Sequence, residues 1–326
     1  MGTICVQFVS SIMSHWVSLL STELSTSKFY ILHGGFLSNH LSQAVIALKQ
    51  LGAPESKIEE VVKYQVAKLE SNEGPTAARQ EAAEAAGHGG DSDLRQLLGQ
   101  RKQYYTLLSH YSNKLQNQHN GCLDSLVVSE FSNLYPGMVG SALHGLIHTG
   151  YGLSEASPHL VCEGLAYLHH SYAPLVTTHK DTQSWKTFGK GPLELTAVLD
   201  KVREDEELRN YMLEEVKKDW VVERGLSRFQ NLCLVLLTKK GDTLLTYASL
   251  TNIPVTSGQG LVDWLLRSSI QLYSMAEVKN DFFLLHGVTA TWALSVILQK
   301  MQDPDQVGQM ARSMNFVDTI NVYLRW

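Results

Sequence analysis

The chain of 326 residues is poor in cysteine and in charged residues. Its four cysteines, Cys5, Cys122, Cys162 and Cys233, are scattered and form no C-x-x-C pair. This spacing argues against a disulfide framework or a thiolate zinc site, and it favours buried free thiols in a reducing compartment. Charged residues make up only 18% of the chain, and no block of lysine and arginine occurs, so nucleic-acid binding is not indicated.

The sequence also lacks a hydrophobic run that could cross a membrane. Its apolar N-terminal stretch, residues 4–20, is interrupted by Gln7, His15 and several serines, and no basic segment precedes it. A membrane span needs about 20 apolar residues, and a signal peptide needs a basic start. We therefore expect a cytoplasmic protein without membrane contact, in which residues 1–28 form a peripheral helix or a poorly ordered extension.

Several common catalytic signatures are absent. There is no G-x-G-x-x-G dinucleotide motif, no P-loop and no H-E-x-x-H zinc motif. The sequence His33-Gly34-Gly35 is similar to the oxyanion loop of esterases, but no G-x-S-x-G nucleophile elbow accompanies it. These absences argue against the well-marked dehydrogenases, nucleotide hydrolases, zinc proteases and esterases.

Helical periodicity dominates the chain. Apolar residues recur at three- and four-residue spacing over 37–51 and 55–70, and again over most of the chain after residue 93. Residues 71–92 are rich in alanine, glycine and glutamate, which predicts a mobile surface insertion. Nothing alternates as strand and helix. We therefore predict an all-α fold in which residues 29–326 form a single large helical domain with crossing helices.

The clearest chemical signal is a histidine pair in an apolar segment. His144 and His148 form an H-x-x-x-H motif. On a helix, residues four apart leave the same face with Cβ atoms roughly 5–6 Å apart, which suits two ligands of one metal ion. Such pairs also occur by chance, so the alternative interpretation is a pair of ordinary core or surface histidines.

Other histidines lie in hydrophobic surroundings. His286 follows four consecutive apolar residues, 282–285. A buried histidine there must be neutral and hydrogen-bonded, or it must bind a metal. His40 lies in the first predicted helix, where a hydrogen-bonded core or edge histidine is the ordinary interpretation. In the tandem pair His169-His170 the two rings point apart, so we expect one in the core and one exposed.

Several sequence blocks resemble the questin oxidase-like family. The central block, GSALHGLIHTGYG over residues 140–152, is the most specific of them. The others are GFLSNHL with ALKQLGA (35–41 and 47–53), EGLAY (163–167) and FFLLHGVT (282–289). All of them occur in the family's order, and the ordered set is more specific than any one block.

The resemblance implies an oxidoreductase. The family is similar in function to fungal enzymes that open anthraquinone rings oxidatively, so it implies oxygenation or ring cleavage of an aromatic or quinone-type small molecule with O₂, linked to NADPH. One member is understood to hold a non-haem iron through four histidines and a carboxylated lysine. Carried over by position, the four histidines are His40, His144, His148 and His286. Imidazole ligands suit iron.

One element of the family pattern is missing, and it leaves alternatives open. The lysine ligand should follow the His286 block, but Lys300 is the last lysine and no family motif surrounds it. The C-terminus therefore looks shortened, and a non-catalytic helical binding protein derived from such an enzyme is an alternative. A weaker alternative is zinc-dependent hydrolysis, which needs an acidic base near the histidine pair. The nearest candidate, Glu155, lies seven residues beyond His148.

Aromatic residues near the family blocks are candidates for the walls of a substrate pocket. They are Phe36, Tyr151, Tyr167, Phe282 and Trp292. Core packing is the more ordinary role for aromatic side chains at such positions. The sequence assigns no catalytic acid, base or nucleophile.

Overall fold

The computed structural model describes residues 25–26, 28–34, 37–69, 91–174, 189–218, 228–254, 258–276 and 279–323. The predicted N-terminal extension, residues 1–28, lies almost entirely outside the described residues. The predicted mobile insertion, residues 71–92, also lies outside them except for its last two positions.

Helices provide nearly all the regular structure of the described residues, as predicted for an all-α fold. Numbered in chain order, the helices are α1 Leu41–Gln50, α2 Glu55–Val66, α3 Asp91–Gln96, α4 Tyr104–Asn117, α5 Leu123–Leu134, α6 His144–Ser154, α7 Pro158–His170, α8 Leu195–Glu204, α9 Glu206–Lys217, α10 Arg228–Ser249, α11 Gly258–Ser274, α12 Phe282–Leu298 and α13 Pro304–Tyr323. A short antiparallel pair, β1 Leu32–His33 and β2 Leu37–Ser38, precedes them. None of the described helices is both long enough and apolar enough to span a bilayer.

One helix boundary differs from the sequence expectation, and the C-terminal segment contributes a further helix. The first helix begins at Leu41 rather than at residue 37, because residues 37–38 pair with β1. The C-terminal segment, in which the apolar pattern is weak, forms α13 and packs against α11 and α12. Buried side chains of α13, such as Met310 and Met314, join the hydrophobic cluster that also contains Ile31 near the other end of the described chain.

The centre of the fold is α6, which packs most extensively against α7 and next against α12. Glycines allow this close approach. A Cβ atom at Gly150 would lie 2.5 Å from the Cβ of Ala293 in α12. A Cβ at Gly145 would lie 2.5 Å from the backbone nitrogen of Leu168 in α7. Such distances are too short for two carbon or nitrogen atoms in van der Waals contact, so only glycine fits at these positions.

Replacing one of these glycines should therefore destabilise the fold. We expect Gly150→Ala to lower the free energy of unfolding by about 1–3 kcal/mol, because the new methyl group overpacks the contact between α6 and α12. The matched control is Gly241→Ala in α10, where no neighbouring atom lies within 4 Å of the added Cβ. That change should raise the stability by roughly 1 kcal/mol through helix propensity. Urea denaturation followed by circular dichroism measures both; effects of the same sign would contradict this packing.

Both tandem histidines at the end of α7 are buried, so the expectation that one is exposed is wrong. His169 is 4% exposed and His170 is 0% exposed. The reason is that α7 is covered on both of the faces from which these rings project. His169 hydrogen-bonds the hydroxyl of Tyr111 and the carbonyl of Leu94. Removal from water lowers the pKa of His169 to about 4 and the pKa of His170 to about 3.

These lowered values predict a loss of stability in acid. A histidine in the unfolded chain has a pKa near 6.5. Below that pH the unfolded chain therefore binds protons at His169 and His170 that the folded chain does not bind. The stabilisation is complete above pH 6.5 and declines as the pH falls from 6.5 towards 4 and 3. We expect His170→Gln to reduce the drop in urea midpoint between pH 7.5 and pH 5. An unchanged drop in His170→Gln would contradict this origin.

The described cysteines are free thiols. Cys162 and Cys233 are buried, and burial raises their pKa values to about 11 and about 12, so both remain protonated and unreactive. Cys122 is exposed, which corrects the expectation that the thiols are buried. It directly precedes α5, where the helix leaves its side chain at the surface.

Candidate metal centre

Three of the predicted metal-binding histidines meet at one point. His40 directly precedes α1, His144 is the first residue of α6, and His286 lies near the start of α12. The Nε2 atom of His144 lies 2.8 Å from that of His40 and 3.1 Å from that of His286. One nitrogen from each ring lies within 4.8 Å of the other two. We call these residues the three-histidine cluster.

Backbone carbonyl groups fix the tautomers of two cluster histidines. The Nδ1 atom of His144 donates to the carbonyl oxygen of Ser141, and that of His286 donates to the carbonyl oxygen of Phe282. A carbonyl oxygen only accepts, so each Nδ1 carries the hydrogen. In a neutral imidazole, the Nε2 atom then has a free lone pair, which is the form that binds a metal.

His40 is the exposed member of the cluster. Its ring is hydrogen-bonded to the backbone of Ser38, while its Nε2 atom faces His144. Part of the residue contacts solvent, but the many protein atoms around the ring limit its hydration. This desolvation, together with the neighbouring His286, lowers the pKa of His40 to about 4. His40 is therefore neutral at ordinary pH and offers its lone pair.

The electrostatics of the cluster favour a cation. Burial lowers the pKa of His144 well below its usual value, and the rings of His286 and His40 lower it further. Burial also lowers the pKa of His286. The rings are thus neutral, and their acceptor nitrogens face one another without a proton between them. Metal–imidazole bonds are roughly 2.0–2.1 Å long, so nitrogens separated by 2.8 and 3.1 Å can share one ion.

An unusual backbone turn places His144 in the cluster. Ser141, Ala142 and Leu143 all have left-handed conformations, with φ values of 49°, 51° and 68°. This region disfavours residues with side chains by roughly 1–2 kcal/mol each, and strain of this kind is concentrated at functional sites. The left-handed turn begins α6 at His144 and brings the Ser141 carbonyl to its Nδ1 atom.

Contacts from α7 and β2 hold the left-handed turn in place. Gly140, which precedes the turn, lies so close to α7 that a Cβ there would be 1.6 Å from the carbonyl oxygen of Ser171. The buried hydroxyl of Tyr167 bonds the side chain of Ser141 and the hydroxyl of Ser38. These contacts provide the stabilisation that a strained backbone needs in order to persist.

The fourth predicted ligand, His148, has other partners. Its Nε2 atom lies 3.0 Å from Glu163 Oε2 in α7, and its Nδ1 atom lies 2.8 Å from the side-chain amide of Gln43 in α1. His148 is one helical turn beyond His144, and α7 places a buried carboxylate beside it. The structure thus groups three of the four predicted ligands and pairs His148 with Glu163.

Glu163 and Gln43 are site residues to which the sequence reasoning assigned no role. Glu163 is the only carboxylate in α7 and is 1% exposed. A buried carboxylate must be paired, so a single glutamate in an apolar helix could have indicated from the sequence that a buried polar partner lies beside it. Burial alone would raise its pKa, but hydrogen bonds from His148 and His159 hold the pKa of Glu163 well below its usual value. Gln43 gave no such signal.

Most of the predicted aromatic pocket walls are packed in the core. Tyr167 is 1% exposed. Tyr151 and Trp292 are partly buried and contact each other, with ring centroids 4.5 Å apart. Phe36 lies outside the described residues. These three described rings therefore support the helices rather than an open pocket.

Phe282 is the exception, because it lies at the surface beside the cluster. Its side chain is 48% exposed, and its ring centroid lies 4.2 Å from that of His286 at an interplanar angle of 45°. The exposed His40 belongs to the same cluster. An aromatic face and a solvent-accessible ligand thus occur together where a small molecule could approach.

Two residues that bear on the alternatives are engaged elsewhere. Lys300 Nζ lies 3.1 Å from Asp124 Oδ2 in a partly exposed ion pair, so Lys300 does not supply the lysine ligand of the family pattern. Glu155 forms an ion pair of 2.6 Å with Lys49 at the far end of α6. The acidic base that zinc-dependent hydrolysis would need is therefore not provided by Glu155.

Fold and site together define a helical protein with a three-histidine cluster that could hold a metal ion. The model of the questin oxidase-like family matches residues 37–323, nearly the whole chain, and the chain belongs to this family. Membership indicates an oxidase-type enzyme, an oxidoreductase acting on a small molecule. No curated protein matches the chain significantly.

Proposed function

We propose that the protein is a metal-dependent oxidase whose ion is held by His40, His144 and His286. The observation that carries the proposal is the convergence of their Nε2 atoms, with hydrogens held on the Nδ1 side. Imidazole nitrogens suit zinc, copper, iron and nickel. Zinc has no redox chemistry, so an oxidase-type family argues against zinc. Among the redox-active metals of this group we propose iron, because the family resemblance implies it.

The residues around the cluster have separate tasks in this proposal. The backbone carbonyls of Ser141 and Phe282 hold the rings of His144 and His286 in the tautomer that offers Nε2. The exposed His40 leaves the cluster accessible from solvent. When bound, a non-haem iron would supply Lewis acidity and redox chemistry towards O₂.

The proposed substrate is an aromatic or quinone-type small molecule. Support comes from Phe282, whose half-exposed ring contacts the ring of His286 and offers an aromatic face beside the cluster. Offset or edge-to-face contacts between aromatic rings contribute about 0.5–1.5 kcal/mol beyond burial. O₂ is the proposed oxidant, and NADPH is the reductant implied by the family resemblance.

A non-catalytic binding protein is the second candidate. It is favoured by one observation, namely that Lys300 pairs with Asp124 instead of completing the ligand set implied by the resemblance. The two candidates differ in whether the cluster retains a redox metal and whether the protein consumes O₂.

Metal content tests the proposal directly. Protein purified anaerobically without chelator should contain close to one equivalent of iron by plasma mass spectrometry. His144→Ala removes one of three ligands and should weaken metal affinity by more than the roughly 10–100-fold that loss of an outer partner produces. His119→Ala, which removes a partly exposed histidine that contacts Ser125, should retain the metal and serves as the control.

Oxygen consumption separates the two candidates. The iron-loaded protein should consume O₂ when supplied with quinone or phenolic compounds and NADPH, and His144→Ala should not. Wild-type protein that retains no metal after reconstitution with Fe²⁺ would overturn the metal-dependent oxidase. Protein that binds iron but consumes no O₂ across such a panel would favour the binding protein.

A further inference from the structure

Four polar groups lie against the buried carboxylate of Glu163, beside the cluster. Glu163 accepts from the backbone nitrogen of Thr26 at 2.6 Å and from its hydroxyl at 2.5 Å. His148 Nε2 lies 3.0 Å from Oε2, and His159 Nε2 lies 2.9 Å from Oε1. His148 is 3% exposed and Glu163 is 1% exposed. A carboxylate removed from water to this extent must be paired and hydrogen-bonded.

The second nitrogen of His148 faces Gln43. The Gln43 amide has one orientation that satisfies all its neighbours: its nitrogen donates to the carbonyls of His40 at 3.1 Å and Asn39 at 3.2 Å. Its oxygen then accepts from His148 Nδ1 at 2.8 Å. The reversed orientation would point the amide oxygen at two carbonyl oxygens, which is repulsive.

The two hydrogen bonds determine what His148 can do. Nε2 faces the Glu163 carboxylate, and Nδ1 faces the amide oxygen of Gln43, so both nitrogens have acceptors as partners. Each nitrogen thus already has a partner outside the cluster, and neither can bind the metal without giving up that contact. The three cluster histidines differ, because their Nε2 atoms face only one another.

We propose that His148 is a positioning residue for the metal centre rather than one of its ligands. A chain of hydrogen bonds connects Glu163 to the cluster. Glu163 bonds Nε2 of His148, Nδ1 of His148 bonds the Gln43 amide oxygen, and the Gln43 amide nitrogen donates to the His40 carbonyl. His40 directly precedes α1, and its carbonyl oxygen accepts from the backbone nitrogen of Ala44 at 2.9 Å. The Gln43 amide adds a second hydrogen bond to this carbonyl, at the point where the chain enters the helix. This inference depends on the proposed function, because it requires that the cluster bind a metal.

A matched pair of variants distinguishes a ligand from a positioning residue. His144→Gln and His148→Gln make the same change one turn apart on α6. Titration of each metal-free protein with Co²⁺ gives stoichiometry, affinity and a ligand-field absorption spectrum. We expect His148→Gln to bind one equivalent with the wild-type spectrum and an affinity about 10–100-fold weaker, as for other residues that orient ligands. His144→Gln should lose far more affinity and change the spectrum.

Two results would overturn the positioning role. One is an equal loss of Co²⁺ affinity in both variants, accompanied by native circular dichroism, because that pattern identifies His148 as a ligand. The other is an unchanged affinity in His148→Gln, because His148 would then not act on the site. Failure of the wild-type protein to bind Co²⁺ is a different outcome, since it would overturn the proposed function itself.

Two further measurements avoid dependence on the folding of one variant. Gln43→Leu removes the link at α1 without touching the buried ion pair, and it should weaken Co²⁺ binding to a similar extent while preserving one equivalent. In wild-type protein loaded with Zn²⁺, nitrogen-15 NMR of the histidine rings should show metal-bound nitrogens in the cluster only, and the His148 ring, identified by the loss of its signals in His148→Gln, should have no metal-bound nitrogen. A metal-bound nitrogen in the His148 ring, or wild-type affinity in Gln43→Leu, would contradict the proposal.

Discussion

The mutual approach of three neutral imidazoles is the interaction on which the proposed chemistry of this protein depends. Their acceptor nitrogens, two pairs of which are 2.8 and 3.1 Å apart, repel one another unless a cation lies between them. The backbone carbonyls of Ser141 and Phe282 keep the hydrogens of His144 and His286 on Nδ1. These two rings therefore cannot relieve the repulsion by moving the hydrogen to Nε2. A metal ion could relieve it with three bonds, and under the proposed function the oxidase-type family gives a reason for that ion to be redox-active.

The surrounding fold explains how such a cluster persists. Glycines bring α6 into close contact with both α7 and α12, which sets the distance between His144 and His286. The left-handed turn before α6 is strained. The hydrogen bond from Tyr167 to Ser141 and the close packing of Gly140 against α7 stabilise it in this conformation. Close helix packing and a run of three left-handed residues thus occur at the same helix, α6.

Sequence patterns predicted much of this arrangement, and the limits of the prediction have physical causes. Three-to-four spacing of apolar residues indicated most helices. The four candidate ligands came from the family resemblance, and the structure brings three of them together. The separation of His144 from His148 could not be predicted, because it depends on a carboxylate that α7 brings to one member only. Burial of both His169 and His170 and the turn at 141–143 likewise depend on packing between distant segments.

Diffraction at the iron absorption edge tests the central claim most directly. Crystals of the iron-loaded protein should give one strong anomalous peak surrounded by the Nε2 atoms of His40, His144 and His286. His148 should remain bonded to Glu163 and contribute no nitrogen to the ion. A peak at another place in the molecule, or fully loaded crystals without a peak between these three nitrogens, would contradict the account of the cluster as a metal centre.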